Sequence, residues 1–200
     1  MPWRNTQNQW GVVAKALHWT IFLLVCALVP VGFVMAGLGP EDLSLKFRLY
    51  QLHKSTGLLV LAVVTLRLLW RAGNRAPALP VAMRWREKAA AHAVHALLYI
   101  LLFALPLSGW VMVSASPLNI PTVFYGLFTV PRLTGPDQYL YTLAREAHEI
   151  LVFVLLALLV AHVGGALWHH FIRRDNILKR MLPWGGLSDQ DPPRKPVATT

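Results

Sequence analysis

The sequence predicts an all-α protein, a four-helix transmembrane bundle with both termini cytoplasmic. Three observations carry that expectation. The 200 residues are 56% hydrophobic with a mean hydropathy of +0.47, too apolar for an ordinary soluble domain. Four stretches, Ala16–Ala36, Gln51–Trp70, Ala89–Val113 and Ala147–Phe171, each reach the roughly 20 residues that cross a hydrocarbon core of about 30 Å. Lipid offers no hydrogen bonds to the backbone, so each stretch should be helical. The third observation is that basic residues are spread unevenly around these stretches.

Arg4 and Lys15 precede helix 1, Arg71, Arg75, Arg84, Arg86 and Lys88 lie between helices 2 and 3, and Arg173, Arg174, Lys179, Arg180, Arg194 and Lys195 follow helix 4. The opposite loops hold few cations, diluted by Glu41, Asp42, Asp137 and Glu146. Positive residues stay inside, which sets the cytoplasmic termini. The net charge of +10 is thereby read as topology and contact with anionic membrane lipids, not as a nucleic-acid surface.

Residues 1–183 read as one membrane domain. Helix 1 (16–36) has a longer apolar run than the h-region of a secretory signal, about 7–15 residues, so it is expected to be retained. A short turn with Gly37, Gly39 and Pro40 leads to helix 2 (51–70). A basic, proline-bearing linker precedes helix 3 (89–113). The segment 114–145 mixes prolines with Phe124, Tyr125, Phe128, Tyr139 and Tyr141, a composition suited to a partly helical cap at the outer membrane boundary. Helix 4 (147–171) follows, and residues 184–200, ending DQDPPRKPVATT, read as a disordered cytoplasmic tail. The single cysteine, Cys26, excludes an internal disulfide and a CxxCH haem attachment.

Eight histidines stand in this apolar chain. Polar groups inside a membrane helix are costly and by default functional. His148 and His162 are fourteen residues apart, which returns them to within about 40° on one helix face, about 21 Å apart along the axis. Helix direction then matches depths: His53 with His148 toward the outer side, His18 with His162 toward the inner side. Imidazole is an axial ligand of haem iron, and a bundle core is where such a cofactor is held. Two imidazoles per iron leave no open position, which suits electron transfer. Gly57 and Gly165 lie one turn beyond His53 and His162 and would make room for a flat ring. A transition-metal pathway is the weaker alternative, because the spans carry no interior carboxylates.

Other polar residues keep two readings. Arg67, fourteen residues after His53, either meets an inner-haem propionate or snorkels to the interface. His92 and His95 either meet a propionate or serve as interfacial structural residues. His169 and His170 either hydrogen-bond a quinone carbonyl or snorkel.

The segments ALHW, LHKSTG with VTLRLLWR, AHAVHALLYILLFALPLSGWVM, AHEI and AHVGGALWHHFIRRDNILKRMLP together resemble the bacterial cytochrome b561 family, over almost the whole chain up to Pro183. That resemblance implies two noncovalent b haems in a protein of the bacterial cell inner membrane, the outer haem held by His53 and His148 and the inner one by His18 and His162. It implies either a stand-alone superoxide oxidase passing electrons from periplasmic superoxide to ubiquinone, or a cytochrome b anchor taking electrons from a partner protein. The short chain favours the first. Lys46, Arg48 and Lys54, with Arg145 nearby, would attract superoxide; contact with lipid headgroups is the alternative role for these cations.

Overall fold

The computed structural model describes residues 2–80 and 83–185. The element order is α1 (Val12–Gly37), a single 3-10 turn at Pro40–Asp42, α2 (Leu43–Gly73), α3 (Trp85–Ala115), β1 (Thr122–Phe124), β2 (Phe128–Val130), α4 (Gln138–Phe171) and α5 (Ile177–Met181). The first four α-helices are each long and apolar enough to cross a membrane, which is the four-helix membrane class. Their side chains reverse the soluble pattern. Leu23, Phe33, Leu69, Ile100, Phe153 and Val160 are exposed, as they should be when lipid is the solvent. Pro30 and Pro106 sit inside α1 and α3, a tolerance typical of membrane helices.

The helices α2, α3 and α4 run beyond their apolar stretches, because polar end turns go on satisfying their own backbone after hydropathy has fallen. Local chemistry sets the starts. Asp137 Oδ1 accepts from Leu140 N at 2.9 Å, an N-cap three residues ahead of the bonded amide. Glu87 Oε2 reaches back to Arg84 N at 2.9 Å, half of a capping box at the start of α3. Asn5 Oδ1 accepts from Gly11 N at 2.9 Å just before α1.

Contacts divide the chain into two units. One comprises the described residues of Met1–Trp19, Thr65–Tyr99 and Leu156–Thr200; the other comprises Thr20–Val64 and Ile100–Leu155. The second unit holds a feature the sequence reading did not anticipate. Residues 122–130 form a β-hairpin in the register Thr122↔Val130, Val123↔Thr129, Phe124↔Phe128. Its turn places Tyr125 at φ 45° and Gly126 at φ 79°, with Leu127 N donating to Phe124 O at 2.9 Å. Two consecutive positive φ values are the signature of the primed turn that suits hairpin twist. Tyrosine rarely adopts that conformation. It is held by Tyr125 N donating to Ser55 Oγ at 3.0 Å and by its hydroxyl 2.9 Å from Thr56 Oγ1. The expected tail lies outside the described residues from position 186 onward.

Candidate functional site

Both units bring histidines from different helices face to face. In the second unit, α2 supplies His53 and α4 supplies His148, their ring centres 6.3 Å apart and their planes crossed at 71°. His148 is oriented from α3: its Nδ1 lies 3.1 Å from Leu105 O and 3.0 Å from Ser108 Oγ. Because Ser108 Oγ already donates to Leu105 O at 2.9 Å, the Nδ1 proton goes to these oxygens, leaving the Nε2 lone pair free. Two glycines that the sequence reading missed allow the rings their places. A Cβ on Gly32 would lie 3.1 Å from His53 Cε1, and one on Gly109 would lie 3.3 Å from His148 Cε1. By contrast, a Cβ on Gly57 or Gly165 would meet nothing within 4 Å. Open space lies beside the two glycines chosen from sequence.

The hairpin explains the LHKSTG stretch. Ser55 is 1% exposed and Thr56 8% exposed, and both hold the hairpin backbone or its Tyr125 ring immediately after His53. Lys54 Nζ donates to Pro121 O at 3.2 Å, joined there by Gln51 Nε2 at 3.0 Å. Lys46 Nζ donates to Leu38 O at 2.7 Å. Arg48 lines an open, largely apolar cleft of about 250 Å³ with Phe47, Gln51, Ser55 and Tyr125. Arg145 is spent on Glu149, 2.8 Å away, and Arg132 on the Ser114 carbonyl at the end of α3. Of these cations, Arg145 has a carboxylate partner, whereas Lys46, Lys54 and Arg132 meet neutral carbonyls.

In the first unit, α1 supplies His18 and α4 supplies His162, ring centres 6.1 Å apart and planes crossed at 72°. His95 from α3 approaches His162 to 5.0 Å, its Nδ1 donating to Ala91 O at 2.6 Å. Arg67 donates from Nη1 to His18 Nδ1 at 2.6 Å and from Nε to Tyr99 Oη at 3.0 Å. His169 Nδ1 meets Asp175 Oδ2 at 2.5 Å, and Asp175 Oδ1 accepts from Ile177 N at 3.0 Å, so one carboxylate orients the imidazole and starts α5. His170 packs edge-on against Phe171.

These pairs can hold an ion that brings its own equatorial ligands. Among the described residues no group of three or more metal-binding side chains could hold a bare ion. An imidazole–metal bond of about 2.0–2.1 Å, plus about 1.2 Å from nitrogen to ring centre, puts two axial imidazoles about 6.4 Å apart. The observed 6.1 and 6.3 Å fit a haem iron between each pair; the 5.0 Å of His95 and His162 does not.

The profile of the family described as prokaryotic cytochrome b561 matches residues 9–184. Similar proteins include cytochrome b561 homolog 2 of Escherichia coli strain K12, 33% identical over 182 residues, covering 91% of this chain and 95% of that one. Homolog 1 of the same strain is 32% identical over 177 residues, covering 88% and 98%. A probable superoxide oxidase CybB of Yersinia pestis is 25% identical over 176 residues, covering 88% and 97%. With the paired imidazoles in its helices, the chain belongs to the prokaryotic cytochrome b561 family, multi-pass membrane electron-transfer proteins that bind haem b.

Proposed function

We propose that the protein is a superoxide oxidase of the bacterial inner membrane, holding two b haems and delivering electrons from periplasmic superoxide to ubiquinone. The near-equal separation of two histidine pairs, 6.3 Å for His53 with His148 and 6.1 Å for His18 with His162, carries the two-haem reading, and the cations Lys46, Arg48 and Lys54 near His53 favour an anionic donor. Bound haem b supplies a one-electron couple at each pair. The net reaction oxidises two superoxide anions to two dioxygen molecules, and one ubiquinone takes up the two electrons with two protons.

This chain's residues then have distinct tasks. Lys46, Arg48 and Lys54 attract the anion, Arg48 from within its cleft. Gly57 and Gly165 leave room beside the ligands. Asp175 fixes the ring of His169 so that its Nε2 can hydrogen-bond a quinone carbonyl. The cation-rich termini and the linker between α2 and α3 face the cytoplasm. The name of the CybB relative agrees with this reading. A second reading, an anchor fed by a partner protein, is favoured by exposed Leu118, Leu127 and Phe128 around the hairpin, an apolar surface a partner could cover.

Purified protein exposed to enzymatically generated superoxide decides between them. Reduction of its haems, followed by reoxidation with a ubiquinone analogue, is the expected result. Inertness to superoxide in a haem-loaded preparation would select the anchor.

A further inference from the structure

The first unit contains a cavity of about 10 Å³ lined by Asn5, Trp10, Arg67, Trp70, Arg71 and Tyr99. That volume is about what one oxygen atom needs. The polar groups around it are nearly all hydrogen-bond donors. Trp70 Nε1 is buried with no hydrogen-bond partner among the described residues, an uncommon state for an indole N–H. Tyr99 Oη accepts from Arg67 Nε, so its own proton is free to give. Arg67 and Arg71 both lie over the Tyr99 ring, 5.8 and 6.0 Å from its centre. Asn5 takes no part, since its Oδ1 serves Gly11 N and its Nδ2 serves Asn74 O and Arg75 O.

The charges are equally one-sided. The carboxylates among this unit's described residues are Glu87 and Asp175, engaged by Arg173 and His169 respectively. The Arg67 guanidinium, within a membrane span and without a carboxylate, calls for an anion from outside the chain, and the exposed Arg71 adds a second positive charge beside it. A water would have to accept from every side and have nowhere to donate. A carboxylate oxygen, an acceptor only, satisfies donors and charge together.

We infer that Trp70 Nε1, Tyr99 Oη, Arg67 and Arg71 form a carboxylate site for a propionate of the inner haem b, closed by the N-terminal segment. The inference rests on the reading that His18 and His162 hold that haem; Arg67, 2.6 Å from His18 Nδ1 here, must release that ring for it to ligate iron and then needs the acceptor that a propionate supplies. The segment before α1 acts as the lid. Beyond the Asn5 tether, Val12 N donates to Pro2 O at 3.0 Å and Ala78 N donates to Gln7 O at 3.1 Å, lacing it across the end of α2.

The test strips haem from the whole protein and reloads it with either haem b or its dimethyl ester, whose propionates carry no charge. The readouts are the rate of release to a haem-scavenging protein and the inner-haem midpoint potential. With haem b, Trp70→Phe should release the inner haem about tenfold faster, the scale of one hydrogen bond to a charged group. It should also lower the potential, because less of the propionate charge is compensated. Arg71→Met should act in the same direction. With the dimethyl ester, parent and variants should become indistinguishable. Equal release and potential in parent and Trp70→Phe with haem b would overturn the inference, and so would a difference that persists with the ester, which would mark Trp70 as packing alone. A parent protein holding only the outer haem would overturn the His18–His162 reading as well, so the two failures are told apart by haem count.

Discussion

Arg67 donates from Nη1 to Nδ1 of His18 across 2.6 Å. A guanidinium has only protons to give, so the His18 Nδ1 lone pair is occupied and the proton of the neutral ring sits on Nε2. Iron requires the Nε2 lone pair, with Nδ1 donating elsewhere. The two arrangements exclude each other. Haem ligation by His18 therefore sends the guanidinium to another acceptor, and the donor-lined cavity beside it is where an acceptor is wanted. Arg67→Leu should reduce inner-haem occupancy and lower the potential of what remains, since a nearby cation favours the electron-rich state. Redox titration of each haem checks this; unchanged occupancy and potential would leave Arg67 as an interfacial snorkelling residue.

The paired geometry predicts two b haems per chain, both six-coordinate and low-spin, and extractable by acid acetone because no CxxCH links them. His162→Ala should remove the inner haem and spare the outer, and His148→Ala should do the reverse. Ring planes crossed at 71° and 72° add a spectroscopic expectation. Nearly perpendicular axial imidazoles leave the two iron dπ orbitals close in energy, so both ferric haems should give strongly anisotropic low-spin EPR signals. A pyridine haemochrome assay returning one haem per chain would contradict the pairing.

Glycines separate protein packing from cofactor packing. Gly32→Leu should push His53 aside and remove the outer haem, because even a Cβ there lies 3.1 Å from the ring. Gly57→Leu meets no protein atom near its Cβ. If that open space belongs to a porphyrin, Gly57→Leu should also lose the outer haem, with the inner spectrum intact. A Gly57→Leu protein with full haem content would mean the ring lies elsewhere.

The spans and the facing histidine pairs were legible because both follow from helical repetition. Hydropathy marks an apolar run wherever it occurs, and fourteen residues bring His148 and His162 to one face whatever surrounds them. The hairpin was not legible. Its turn puts Tyr125, not asparagine or aspartate, at a positive φ beside Gly126, and the stabilising contacts come from Ser55 and Thr56, about 70 residues away. Gly32 and Gly109 were missed for a related reason. Each matters to a histidine on a different helix, and no periodicity within α1 or α3 reports that approach. In the sequence His95 keeps two roles, a propionate contact or an interfacial structural place; the structure sets its ring 5.0 Å from that of His162.

Lys54 and Lys46 are each held by a backbone carbonyl, while Arg48 opens into its cleft, so these cations flank His53 along α2. A small anion drawn by them should reduce the haems more slowly as salt rises, the screening length falling from about 10 Å at 0.1 M to about 3 Å at 1 M. Arg48→Glu and Lys54→Glu should each slow reduction by superoxide while haem content stays full. Arg84→Glu, in the linker before α3, should leave the rate unchanged. Stopped-flow haem absorbance at stepped ionic strength reads all three. A rate indifferent to salt and to both reversals would remove the cations from the donor step. Failure of superoxide to reduce fully loaded protein at low salt would mean the electrons come from a docked partner, whose apolar contact would then be sought at Leu118, Leu127 and Phe128.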